Sequence, residues 1–218
     1  MKRIPEPELM EDPEQARAYA EADFSEPHES FIRHFKRHFP DFVRGRVMDL
    51  GCGAADVTIR FARAYPRASL EGVDGAEAML RLGRDAVTRA ELDSRIVLRS
   101  LRLPAAELSG GYDAVISNSL LHHLSDPATL WRTVAEAARP GAPVLVMDLL
   151  RPTSPEAASE LLRLHAGDAP PVLARDFFNS LLAAYRPDEV VRQLQASRLT
   201  HLNVEIVSDR HWVVSGHV

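Results

Sequence analysis

At residues 47–54 the chain reads Val47-Met48-Asp49-Leu50-Gly51-Cys52-Gly53-Ala54, a short apolar run that ends in a carboxylate and breaks into two closely spaced glycines. The apolar run suits a buried strand, and glycine suits a tight turn or a backbone that a ligand must approach closely. Asp56 to Ala64 then carries apolar residues at helical spacing, which makes the glycines a strand-to-helix turn. Open α/β folds hold nucleotide-like cofactors at such turns.

The charges around the turn restrict the cofactor. A dinucleotide fingerprint needs a third glycine, and Asp56 stands at that position. Asp49 lies just before the turn, so two carboxylates flank the place a pyrophosphate would occupy, and an anionic ligand is disfavoured. S-adenosylmethionine offers a nucleoside with a sulfonium and an ammonium group instead. A second apolar segment, Ala68 to Val73, ends at Asp74, about 20 residues beyond the glycines, the interval at which a strand-end carboxylate meets ribose hydroxyls.

Five elements in order carry a family resemblance: Asp49 to Gly53, Gly72 to Asp74, Tyr112 to Asn118, Leu121-His122-His123-Leu124, and Arg139 to Val146. With them the chain resembles the class I S-adenosylmethionine-dependent methyltransferases, in particular the small-molecule group with Leu-His-His-Leu after strand four. The resemblance covers roughly residues 45–150. It implies a cofactor site built from Tyr19, Asp49, Gly51, Gly53, Asp74, Gly75, Met79 and Asn118, with S-adenosylhomocysteine as product. The Asp that usually follows strand three in this family is replaced here by Arg99-Ser100-Leu101-Arg102-Leu103-Pro104, so Arg102, Leu103 and the backbone beside them are the candidates for the adenine.

The expected fold is α/β: a doubly wound, Rossmann-like, seven-stranded, mostly parallel sheet with a C-terminal antiparallel hairpin and a helical cap and lid. Strands are predicted at Arg46–Leu50, Ala68–Val73, Arg95–Leu98, Tyr112–Ser117 and Pro143–Leu149, with a hairpin from Leu202–Val207 and His211–Gly216. Helices are predicted at Asp56–Ala64, Ala76–Ala90, Asp126–Ala138 and Pro187–Ser197. Residues 1–45 form a helical cap, with helices at Pro13–Asp23 and Ser30–Phe39; Phe31, Phe35 and Phe39 are spaced to pack on the sheet. Residues 46–153 and 186–218 form the core of a single domain, and 154–185 a helical lid inserted after strand five.

Methyl transfer from a sulfonium is an in-line displacement, so positioning does much of the work and no metal is expected. An oxygen or protonated nitrogen acceptor also needs a base, whereas a thiolate needs little help. Adjacent residues are not expected to face the same way, and His123 is the candidate that faces the pocket. Asp148, ending strand five, either orients the acceptor or pairs with Arg151 or Arg175. The lid segment Arg175 to Ser180 is a candidate lining of the acceptor pocket.

The chain has 218 residues, a net charge of −5 and one cysteine, Cys52, which excludes an intrachain disulfide and a cysteine-cluster zinc site. The acidic balance argues against DNA, and no apolar run reaches membrane-spanning length. The expectation is a cytoplasmic enzyme that methylates O, N or S of a small molecule. RNA or protein methylation, and a non-methylating S-adenosylmethionine-binding enzyme or partner, are the alternatives.

Overall fold

The computed structural model describes residues 1–6 and 9–218. In chain order the elements are α1 (Pro13–Glu21), α2 (Ser25–His38), β1 (Arg44–Leu50), α3 (Asp56–Ala64), β2 (Arg67–Asp74), α4 (Glu77–Arg89), β3 (Ile96–Ser100), β4 (Ala114–Asn118), a 3₁₀ turn (Leu121–His123), α5 (Ala128–Ala137), β5 (Pro143–Leu149), α6 (Pro155–Ala166), α7 (Pro171–Ala183), α8 (Pro187–Ala196), β6 (Asn203–Ile206) and β7 (His211–His217).

The strands form one seven-stranded sheet in the order β3-β2-β1-β4-β5-β7-β6. The first five are parallel, and β7 runs antiparallel between β5 and β6. Because β1 pairs with both β2 and β4, the winding reverses there, and the crevice at the carboxyl ends of β1 and β4 is the topological switch point.

Both sheet faces are covered, which is why the central strands are apolar throughout rather than alternating. Val144 and Val146 of β5 pack with Trp131 and Val134 of α5 and with Val190 and Leu194 of α8. Leu145 and Met147 face the other way, with Phe31 and Phe35 of α2 and Phe61 of α3. The phenylalanines of the cap therefore pack as their spacing predicts, and Phe39 is buried with them.

Differences from the sequence-based boundaries have local causes. Helix α2 begins at Ser25, five residues before the expected Ser30, because Pro27 falls in its first turn, where a missing N–H costs no helical bond. Strand β3 is displaced toward Ser100, and Arg99 on it reaches Glu71 of β2 at 2.6 Å. Tyr112 makes only an isolated bridge to Ala138, so β4 starts at Ala114. The segment 154–185 is two helices broken at Gly167–Pro170, and the terminal hairpin forms as expected, with β7 inside the sheet and β6 at its edge.

Candidate active site

The glycine turn leaves β1 at the switch point. Gly51 has φ +73°, in the left-handed region, and its N–H donates to the Val73 carbonyl at 2.8 Å. A side chain at Gly51 would also meet Leu120, 2.9 Å from the position its Cβ would take. Both demands select glycine. The turn is fastened a second time where Asp74 ends β2: its Oδ2 accepts from Gly53 N–H at 2.9 Å and its Oδ1 from Ala76 N–H at 2.8 Å. Each carboxylate oxygen keeps a further lone pair.

Asp74 therefore does more than the sequence predicts for it, which is to receive ribose hydroxyls: it locks the turn it faces. Replacing it with alanine is expected to weaken S-adenosylmethionine binding by about 1.5–3 kcal/mol, the range for hydrogen bonds to a charged group. Calorimetric titration measures this directly, and an unchanged affinity would remove Asp74 from the site.

The two flanking carboxylates differ. Asp49 is buried, and loss of hydration pushes its pKa up to about 7 despite a hydrogen bond from Thr58 Oγ1 at 2.6 Å. Burial also acts to raise Asp56, but hydrogen bonds from His28 and Arg60 hold it down at about 2. Asp56 is thereby committed to joining α3 to α2, and Asp49 is the carboxylate whose charge a ligand would alter.

On the next strand Asn118 follows the last residue of β4 paired to β1, the Leu50–Ser117 match. Its Oδ1 is buried and has no hydrogen-bond partner among the described residues. A buried acceptor without a donor is costly. Tyr19 of α1 packs with Met10 on Ala76, Ala78 and Met79, and burial together with Asp56, Asp74 and Asp148 raises its hydroxyl pKa to about 12. Leu9 lies on Gly75, whose other neighbour is the backbone of Arg102. Leu103, half-buried, packs instead against the core on the α5 side. Asp49, Gly51, Gly53, Asp74, Gly75, Met79, Tyr19, Arg102 and Asn118 thus border the carboxyl edge of β1, β2 and β4. A ligand bearing hydroxyls and positive charge fits this lining: Asp74 offers acceptors, Asn118 an unmet one, and Asp49 a carboxylate that a nearby cation would ionise.

The histidine pair differs from expectation. His122 is buried, and its Nδ1 pairs with Asp148 in a short contact, while its backbone N–H donates to Asp148 Oδ2 at 3.2 Å. Burial alone would lower the His122 pKa, but Asp148 and Glu6 raise it on balance. Asp148, whose burial would raise it, is instead held below the usual carboxylate value by His122. The arginines considered for Asp148 go elsewhere: Arg151 pairs with Glu189 at 2.7 Å, and Arg175 with Asp176 at 3.1 Å.

Nor do the two rings point apart. In the 3₁₀ turn their centroids lie 4.2 Å apart, and both approach Glu6 Oε1, His122 Nε2 at 3.4 Å and His123 Nδ1 at 3.5 Å. Glu6 was absent from the sequence-based candidates. It arrives because the N-terminal segment is strapped across this edge: Arg3 Nη2 donates to the His122 carbonyl at 2.7 Å, and Ile4 N–H to the Leu182 carbonyl at 3.0 Å. Cys52 is buried and its thiol pKa is driven up, chiefly by burial, which disfavours the thiolate a nucleophile needs.

Comparison with known proteins bears on the domain and the fold. Residues 48–144 match the family model described as "Methyltransferase domain". The chain is 30% identical over 123 residues to trans-aconitate 2-methyltransferase of Deinococcus radiodurans, covering 56% of this chain and 45% of that protein. It is 35% identical over 108 residues to ubiquinone biosynthesis O-methyltransferase of Bordetella pertussis, covering 49% and 43% respectively. The chain thus spans less than half the length of these curated relatives. The crystal structure of a SAM-dependent methyltransferase from Aquifex aeolicus superposes with a TM-score of 0.69 at 16% identity, over 95% of this chain and 98% of that one. The chain therefore carries, over residues 48–144, a segment matching the methyltransferase-domain family, within a Rossmann-like fold shared with solved S-adenosylmethionine-dependent methyltransferases.

Proposed function

We propose that this chain transfers a methyl group from S-adenosylmethionine to an oxygen, nitrogen or sulfur atom of a small molecule. The observation that carries the reading is Asp74, fixed by two backbone N–H groups beside the Gly51 turn and opposite the unpartnered Asn118 oxygen. The cofactor, when bound, supplies a methyl carbon with a good leaving group. The chain's part is to hold the acceptor in line with it, where effective molarity does most of the work.

Acceptor activation falls to the cluster at the end of β4 and β5. Asp148 orients His122 and is a positioning residue, and His123, only partly buried beside Glu6, is the proton acceptor. The small-molecule reading draws support from the relatives, one named for trans-aconitate and one for ubiquinone biosynthesis. Incubation with methyl-labelled S-adenosylmethionine and fractionated cell extract tests it. A labelled product of low mass supports the reading, and label confined to RNA or protein transfers it to those acceptors.

Asp49 makes cofactor binding dependent on pH. A cationic ligand favours the ionised carboxylate, so binding draws the Asp49 pKa down from about 7 and releases a proton. Affinity is therefore expected to rise between about pH 6 and 8. Calorimetry in two buffers of different ionisation heat reads the proton release, and Asp49→Asn is expected to abolish it. In the free protein the sign is opposite: with the folded pKa raised, Asp49 lowers stability increasingly as pH rises from 3.8 through about 7.

A further inference from the structure

Glu6, His122 and His123 place three ligand atoms of one kind of site within 4.8 Å of one another. We propose that these residues form a binding site for a divalent transition-metal ion of the zinc class at the acceptor side of the pocket.

The distances suit ligation of a single ion. Glu6 Oε1 lies 3.4 Å from His122 Nε2 and 3.5 Å from His123 Nδ1, and it is buried with no hydrogen-bond partner among the described residues. Two ligands of one tetrahedral ion, each at about 2.0–2.1 Å from it, stand about 3.3–3.4 Å apart. One oxygen and two imidazole nitrogens suit zinc and its neighbours better than magnesium or calcium, which take oxygen ligands.

The surroundings supply what a ligating histidine needs. Asp148 engages His122 Nδ1, so in the neutral ring Nε2 presents its lone pair toward Glu6. That carboxylate-to-imidazole relay is the arrangement that fixes a metal-binding tautomer. The surrounding charges leave a net negative site that a cation would offset. Glu6 and Asp148 are opposed by Arg3, whose guanidinium is engaged with the His122 and Ala183 carbonyls. Asp176, also facing Glu6, is paired with Arg175.

With three protein ligands, a fourth position stays open, as in catalytic zinc sites. The chemical role of the ion rests on the methyl-transfer reading: an acceptor hydroxyl or thiol bound there would lose its proton to solvent and be presented as the anion, with His123 a ligand rather than the base. Binding of the ion itself does not depend on that reading. Ordering of the N-terminal segment is coupled to it, because Glu6 is the ligand that segment supplies.

The full chain, stripped of metal with a chelator, is titrated with Zn²⁺, and bound metal is quantified by mass spectrometry after gel filtration. One equivalent is expected, with affinity weakened at least tenfold in Glu6→Gln and in His123→Ala, and unchanged in His201→Ala as a histidine control. Circular dichroism establishes that the variants fold. Absence of stoichiometric binding, or wild-type affinity in folded Glu6→Gln and His123→Ala, overturns the site. S-adenosylmethionine titration of the metal-free protein is read separately, so failure of the cofactor reading leaves the metal result standing, and the reverse.

Discussion

Gly51→Val is expected to abolish detectable S-adenosylmethionine binding, a loss of at least about 100-fold, or roughly 2.7 kcal/mol. Two costs coincide at this position. A residue with a side chain in the left-handed region loses about 1–2 kcal/mol, and more when it is β-branched. The new Cβ would also lie 2.9 Å from Leu120, which cannot withdraw freely because it leads into the His122–Asp148 pair. The turn must then move, and with it the Gly53 N–H held by Asp74. Gly111 separates the two costs: it has φ +82° and open space where a Cβ would go. Gly111→Ala is therefore expected to lower stability by about 1 kcal/mol and leave cofactor affinity intact. Calorimetric titration with thermal unfolding of both variants checks this. Full binding by Gly51→Val would mean that the turn does not approach the ligand.

The second large effect belongs to Asp148→Ala, for which we expect a loss of about 3–5 kcal/mol in stability, the cost of removing one partner of a buried ion pair. His122 would lose the carboxylate on Nδ1, and two backbone N–H groups, those of His122 and Leu149, would lose an acceptor. The pH dependence carries a signature. Asp148 is lowered from 3.8, so its contribution is present above that value and fades as pH falls through the folded pKa. His122 is raised from 6.5, so its contribution is full below 6.5 and fades as pH rises through the folded pKa. The difference between wild type and variant is therefore greatest between about pH 4 and 6.5 and shrinks on both sides. Denaturant unfolding across that range measures it. A flat difference would make the contact a neutral hydrogen bond, and Asp148→Asn would then behave as wild type.

How much of this was legible in the sequence follows from where each interaction is encoded. The cofactor half is local. A strand that must end, a turn that needs left-handed backbone and a carboxylate at the next strand end are all visible within a few residues, so the strand-to-turn geometry at Asp49, Gly51 and Asp74 was legible without a structure. The start of α1 was equally local: Asp12 accepts from Glu14 and Gln15 N–H groups ahead of Pro13, as the capping pattern predicts.

The acceptor half is not local. Glu6 meets His122 only because Arg3 and Ile4 are fastened to backbone carbonyls of His122, Ala183 and Leu182. Nothing in the polar segment around Glu6 announces that contact except the prolines on either side of it, Pro5 and Pro7. The expectation that one of two adjacent histidines must turn away, on a helix or a turn alike, does not hold here. The tight 3₁₀ turn, with a carboxylate between the rings, lets both approach it. Asp148 was identified at the right strand end, but its partner is a ring one strand away rather than an arginine nearby in sequence.

Calorimetric titration of the purified chain with S-adenosylmethionine, and separately with NAD, tests the central claim most directly. Stoichiometric binding of the sulfonium in the micromolar range, with no heat from NAD, is the predicted result. Binding of NAD alone would mean that Asp49 and Asp56 do not exclude a pyrophosphate, and would contradict both the cofactor and the reaction.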